Sequence, residues 1–138
     1  MFILDTDHLS LFQRRHPQVV AKVLATPVEQ RAIAITTVDE QLRGRLSQIK
    51  KGRNAEAYVK ACLALHEAIR FFASLRVLDF DLAVHAQYDS LKQARIRIGS
   101  QDLRIAAIAL STQSVLVTRN RSDFEKVPEL KTEDWSVA

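Results

Sequence analysis

Four acidic residues stand beside short apolar runs of this sequence. Asp5 directly follows one run, Glu40 and Asp123 come a few residues after two others, and Asp102 precedes a nearly all-apolar stretch. In open parallel α/β sheets, ligands bind at the carboxyl ends of the strands, so acids following several strands would meet at one edge. Gathered carboxylates repel one another, which raises their pKa values unless a cation neutralises them. Their hard oxygens suit Mg²⁺ or Mn²⁺. The spacing therefore predicts a divalent-metal site.

The segments between these acids alternate between strand-like and helix-like patterns. We predict four apolar strands and a short edge strand, at residues 2–4, 32–35, 77–80, 115–118 and about 131–135. Helical periodicity or helix-start signals predict helices from about residue 6, at Pro17, from about 38 to 49, after Gly52, over about 84–98, and after a Ser100 N-cap. Strands separated by helices predict a mostly parallel sheet with right-handed crossovers and helices on both faces.

The composition is that of an ordinary globular protein. The chain has 138 residues, 47% hydrophobic and 26% charged, which predicts a single domain over residues 1–138. Its net charge of +4 is compatible with a phosphate-bearing partner but is weak support for one. Cys62 is the single cysteine, so no internal disulfide can form. No apolar run approaches the ~20 residues that span a bilayer. We expect a cytoplasmic protein with no membrane contact.

Each acid also has a purely structural explanation. Asp5 could N-cap the helix that follows it, and Thr37 with Glu40 matches a capping box. Asp102 would be favoured electrostatically two residues beyond a Ser100 cap, and Asp123 could be a solvated loop acid. In this alternative the protein is a non-catalytic nucleic-acid or protein binding module. Its binding surface would include the basic residues between positions 43 and 53.

Other site chemistries have little support in the sequence. The four histidines are dispersed, and none pairs with the cysteine at zinc-site spacing. Glycine-rich phosphate loops and nucleophile-elbow motifs are absent. Arg119 and Arg121 bracket the loop before Asp123 and could contact a phosphate or a partner's carboxylate.

Four segments, taken together and in order, resemble the PIN-domain ribonucleases, specifically the VapC-type toxins of bacterial toxin–antitoxin pairs. They are ILDT (3–6), TVDEQLRG (37–44), QDLRIAAIA (101–109) and VTRNRSDF (117–124), and VPEL (127–130) and DW (134–135) also fit. The resemblance covers essentially the whole chain. It implies a three-layer α/β/α sandwich, a Mg²⁺-dependent endoribonuclease activity, a homodimer, and inhibition by a cognate antitoxin protein.

The resemblance also implies roles for individual residues. Asp5 and Asp102 would be the central metal ligands, and Glu40 the third acid of the site. Many PIN nucleases have an aspartate where this chain has Asn120, so Asp123 would supply the fourth acid, directly or through water. Asn120 and Thr118 would hold the site by hydrogen bonds.

Inhibition predicts a second surface near the site. We expect a disordered antitoxin tail to fold along the groove, with a cation pairing with the acids. Leu11, on the predicted first helix, is the apolar residue expected to be exposed for that tail.

Overall fold

A five-stranded, all-parallel sheet forms the centre of the protein. The computed structural model describes every residue from Met1 to Ala138. The strands are β1 (Phe2–Leu4), β2 (Arg31–Ala34), β3 (Val77–Leu78), β4 (Val115–Val117) and β5 (Lys131–Glu133), in the spatial order β3-β2-β1-β4-β5. Every neighbouring pair is parallel, and the predicted edge strand near residues 131–135 is confirmed as β5.

Seven α-helices and one short 3₁₀ helix connect the strands. The helices are α1 (Thr6–Gln13), α2 (Pro17–Ala25), α3 (Ile35–Lys51), α4 (Ala55–Ala73), α5 (Leu82–Gln93), α6 (Ser100–Ser111) and α7 (Arg121–Phe124), with the 3₁₀ turn at Val28–Gln30. Pro17 begins α2 as predicted, because a proline at the first helical position loses no hydrogen bond. None of the helices is both long and apolar enough to cross a membrane.

Hydrophobic side chains cover both faces of the sheet. Consecutive residues of one strand point to opposite faces, and Ile3 joins one buried cluster while Leu4 joins the other. The first cluster packs α5 and α6 against the sheet, and the second packs α1, α2 and α4 against the opposite face. Residues Ala106 to Ala109 of α6 are fully buried, and three of these four residues are alanines. The predicted three-layer α/β/α sandwich is therefore confirmed.

Two of the three caps predicted near the acids are wrong. Helix α3 starts at Ile35, directly after β2, with Ala34 at its N-cap and no side-chain cap. Glu40 therefore lies in the second turn of α3, and Thr37 instead places its Oγ1 3.1 Å from the Oγ1 of Thr6. Helix α6 starts at Ser100, one residue earlier than predicted, so its N-cap is Gly99. The chain passes from β2 into α3 without a turn, which leaves no place for a capping box.

The expectation that Leu11 is exposed is also wrong. Its side chain is buried, with 9% of its surface exposed, and belongs to the same cluster as Leu9 and Val19. Because α2 folds back against α1, the face of α1 that carries Leu11 becomes interior. Leu11 therefore cannot anchor an antitoxin segment.

Candidate active site

The sheet edge formed by the carboxyl ends of the strands carries a polar cavity of about 370 Å³. Asp5, Glu40 and Asp102 line this cavity, together with Asn120. These four residues lie on different elements: Asp5 at the β1–α1 junction, Glu40 in the second turn of α3, Asp102 in the first turn of α6, and Asn120 after β4. The structure thus brings together three of the four predicted acids. We call this cavity the acidic pocket.

Asp5 is the most firmly held of the three acids. Its backbone N–H donates to the carbonyl of Val117 (3.0 Å), which continues the parallel β1–β4 ladder by one residue. Its Oδ1 accepts a hydrogen bond from the N–H of His8 (2.7 Å), so Asp5 does N-cap α1. The residue is 8% exposed. The cap bond occupies one carboxylate oxygen, and no side-chain hydrogen bond engages the other.

The two other acids of the pocket lack any cationic partner. No lysine or arginine nitrogen lies within 4.0 Å of a carboxylate oxygen of Glu40 or Asp102. Burial, and then the charges of Asp5 and Asp123, raise the pKa of Asp102. Partial burial, followed by the charges of Asp102, Asp39 and Asp5, raises the pKa of Glu40. Glu40 lies at the exposed rim of the pocket, where solvent screens these charges. In both residues the ionised form is therefore disfavoured.

Asp123 stands behind the pocket and does not line it. Its Oδ2 accepts a hydrogen bond from Asn120 Nδ2 (3.0 Å), and its Oδ1 lies 3.6 Å from Lys126 Nζ. The fully buried Thr118 accepts from the N–H of Asn120 through its Oγ1 (3.0 Å). Thr118 and Asn120 are thus linked to each other and to Asp123 in the segment that follows β4. Asn120, and not Asp123, presents its side chain to the cavity.

An ion pair of Asp7, which also lines the pocket, was not predicted from the sequence. Arg119 donates from Nε and Nη2 to the two carboxylate oxygens of Asp7, at 2.7 and 2.8 Å. These hydrogen bonds outweigh partial burial and lower the pKa of Asp7. Arg119 is therefore engaged within its own chain, while about half of its side chain stays exposed. No local pattern could have indicated this pair, because 112 residues separate its members.

The oxygen ligands of the acidic pocket fit a divalent cation. Possible ligand atoms of Asp5, Asp7 and His8 also lie within 4.8 Å of one another. However, both carboxylate oxygens of Asp7 bind Arg119, and His8 Nε2 accepts a hydrogen bond from the N–H of Trp135 (3.2 Å). A cation would therefore gain more from Asp5 and Asp102, whose mutual repulsion it would relieve.

No protein-family model matches the sequence, but individual relatives match it along its whole length. "Ribonuclease VapC1" of Haemophilus influenzae (strain R2866) is 25% identical over 138 residues, covering 99% of this chain and 98% of the relative. "tRNA(fMet)-specific endonuclease VapC" of Salmonella typhimurium (strain LT2) is 29% identical over 138 residues, covering 97% of each.

Solved structures show the same fold. FitAcB from Neisseria gonorrhoeae superimposes with a TM-score of 0.74 at 25% identity, covering 98% of each chain. VapBC-1 from nontypeable Haemophilus influenzae gives a TM-score of 0.73 at 23% identity, covering 99% of this chain and 98% of that one. The full-length sequence matches, the shared fold and the acids collected at one sheet edge agree with one another: over its whole length the chain is similar to the VapC family of PIN-domain proteins.

Proposed function

We propose that this protein is a Mg²⁺-dependent endoribonuclease and the toxin of a toxin–antitoxin pair. The observation that carries the proposal is the acidic pocket, where carboxylates from three distant parts of the chain line one cavity, and Glu40 and Asp102 lack a cationic partner. Relatives matched over their whole length are named as a ribonuclease and a tRNA endonuclease, which supports cleavage of RNA. The proposed catalytic unit is a single PIN domain over residues 1–138, acting in the cytoplasm.

Asp5 and Asp102 are the proposed metal ligands, with Glu40 as the third acid of the site. When bound, Mg²⁺ or Mn²⁺ would supply Lewis-acid chemistry, neutralising charge on a phosphodiester and lowering the pKa of water. Asp5 is suited to be a fixed ligand because the sheet and the cap bond hold it in place. Asp102 is suited because its ionised form is disfavoured until a cation arrives.

The remaining polar groups have proposed roles in binding and orientation. Glu40, at the exposed rim, can orient the attacking water and accept its proton, since a raised pKa brings a carboxylate closer to neutral pH. Arg14 is exposed and lines the same cavity, where its guanidinium can meet a backbone phosphate of RNA. Asp123 acts through Asn120, whose amide it orients.

The proposed partners are a cognate antitoxin and a second copy of the chain. Structural neighbours include VapBC complexes, such as the DNA-bound VapBC from Salmonella typhimurium, which has a TM-score of 0.73. An inhibitor reaching the pocket would find three carboxylates available to an arginine or lysine. Such a cation would offset the repulsion that raises the pKa of Asp102.

Cleavage of RNA by the purified protein tests the proposal. We expect cutting with Mg²⁺ or Mn²⁺, none in EDTA, and none from Asp5→Asn or Asp102→Asn. Asp89→Asn on α5 is the matched control, because it removes a carboxylate that lies near His85 and not in the pocket. Undiminished cleavage in EDTA would refute metal dependence. RNA binding without cleavage, unchanged by these substitutions, would favour the binding-module alternative.

A further inference from the structure

His8 lies directly behind the pocket and has no exposed surface. Its Nδ1 is 3.4 Å from Asp5 Oδ1 and has no hydrogen-bond partner, alone among the buried side-chain nitrogen and oxygen atoms of the protein. A fully buried polar atom is normally paired, so an unpaired one facing an active-site carboxylate calls for an explanation.

The C-terminal segment determines which ring nitrogen of His8 carries the proton. The N–H of Trp135 donates to His8 Nε2 (3.2 Å), so Nε2 holds a lone pair and the proton of the neutral ring is on Nδ1. Asp134 Oδ1 lies 3.4 Å from Nε2, but it already accepts hydrogen bonds from the N–H and Oγ of Ser136. Asp134 therefore does not require a proton on Nε2. The resulting Nδ1–H lies on the side of the ring near Asp5, with Nδ1 3.4 Å from Oδ1 but without hydrogen-bond geometry.

Given the proposed metal-dependent function, we propose that His8 is a positioning residue for Asp5. The His8 N–H already binds Oδ1 at 2.7 Å, and closing the 3.4 Å gap between Nδ1 and Oδ1 when a cation binds would give Oδ1 a second donor and keep the other carboxylate oxygen directed to the cation. Carboxylate ligands are commonly held by such outer hydrogen bonds, and losing one costs 10- to 100-fold in metal affinity or activity.

The C-terminal segment is part of this device. Trp135 is 3% exposed and packs against Phe2 of β1, with ring centroids 5.3 Å apart. Its backbone N–H is thereby held at His8 Nε2, and the ring orientation follows. A chain of contacts thus runs from β1 through Trp135 and His8 to Asp5, linking residues 127 positions apart.

Two substitutions at position 8 separate positioning from packing. In His8→Asn the side-chain amide can place a donor where Nδ1 stands, but nothing accepts from Trp135. In His8→Gln the side-chain oxygen can accept from the N–H of Trp135, but no donor faces Asp5. Mn²⁺ affinity, measured by calorimetry and by Mn²⁺ electron paramagnetic resonance, should fall about 10-fold or more in His8→Gln. It should stay within a few-fold of wild type in His8→Asn, even if that variant melts at a lower temperature.

A measurement on the wild-type protein avoids dependence on how the variants fold. Nitrogen-15 NMR of the metal-free protein at neutral pH should show a proton on His8 Nδ1 and none on Nε2. A proton on Nε2, or a His8→Gln variant that binds Mn²⁺ as tightly as wild type, would overturn the positioning role alone. If wild-type protein binds no Mn²⁺ at all, the proposed function fails and the positioning role fails with it.

Discussion

Replacing Asp102 by asparagine should abolish metal-dependent stabilisation of the protein without unfolding it. Asparagine keeps nearly the same shape but removes the charge that burial and the acids Asp5 and Asp123 disfavour. Metal-free Asp102→Asn should therefore melt no lower than metal-free wild type at neutral pH. Added Mn²⁺ should raise the melting temperature of the wild type and scarcely change that of the variant.

The size of the expected shift follows from the length of the chain. A ligand at 100 times its Kd stabilises the folded state by about 2.7 kcal/mol. At about 2.1 cal/mol/K per residue, 138 residues correspond to an unfolding entropy of about 0.29 kcal/mol/K. The wild-type melting temperature should therefore rise by about 9 °C. Loss of a direct ligand should weaken binding at least as much as the ~100-fold upper end for outer-shell partners. At the same Mn²⁺ concentration the variant then gains about 0.4 kcal/mol, or roughly 1.4 °C.

The assay is thermal unfolding followed by circular dichroism at a series of Mn²⁺ concentrations. Asp89→Asn should shift as the wild type does, because its carboxylate is not part of the pocket. An equal Mn²⁺ shift in Asp102→Asn and wild type would show that Asp102 is not a ligand. If no protein in the series shifts, the pocket binds no metal and the reasoning from its electrostatics is wrong.

Three further outcomes are expected. The raised pKa values of Glu40 and Asp102 mean that the folded state holds protons more tightly than the unfolded state, so these acids make metal-free stability fall as pH rises from about 4 through the raised values. In urea unfolding, the difference in stability between wild type and the double variant Glu40→Gln/Asp102→Asn should therefore grow with pH. A difference that stays constant with pH would contradict this prediction. Leu11→Asp should lower the free energy of unfolding in urea by at least about 3 kcal/mol, because it places a charge at a buried leucine position. Near-wild-type stability would show that Leu11 is accessible to solvent. Asn120→Asp replaces the donor to Asp123 with one more carboxylate in the pocket, so it should lower the metal-free melting temperature and enlarge the Mn²⁺ shift. An unchanged shift would place position 120 outside the metal's reach.

Local sequence patterns were sufficient to predict the architecture. Short apolar runs separated by helical periodicities predict a parallel sheet with helices on both faces, and the structure has five parallel strands in that arrangement. The acidic pocket could be expected for a related reason. Asp5 immediately follows a strand, and the carboxyl ends of parallel strands share one edge, so the position of an acid along the chain indicates its place in the fold.

The exact beginnings of the helices could not be predicted in the same way. The Thr37–Glu40 pattern fits a capping box, yet α3 begins two residues before Thr37 because it continues directly from β2. Capping preferences contribute about 1 kcal/mol, and burial of a strand or helix face outweighs them. The same limit explains Leu11, whose burial depends on α2 packing back against α1.

By itself, the sequence determined which acids lie near the carboxyl ends of strands; the tertiary structure decided which of them share a cavity and what supports each one. It placed Asn120 in the pocket and Asp123 behind it, joined Asp7 to Arg119, and set His8 between Asp5 and Trp135. These contacts join side chains that differ by up to 127 positions in the chain. Such contacts leave no periodic pattern in the sequence, because they depend on how whole helices and strands pack against one another.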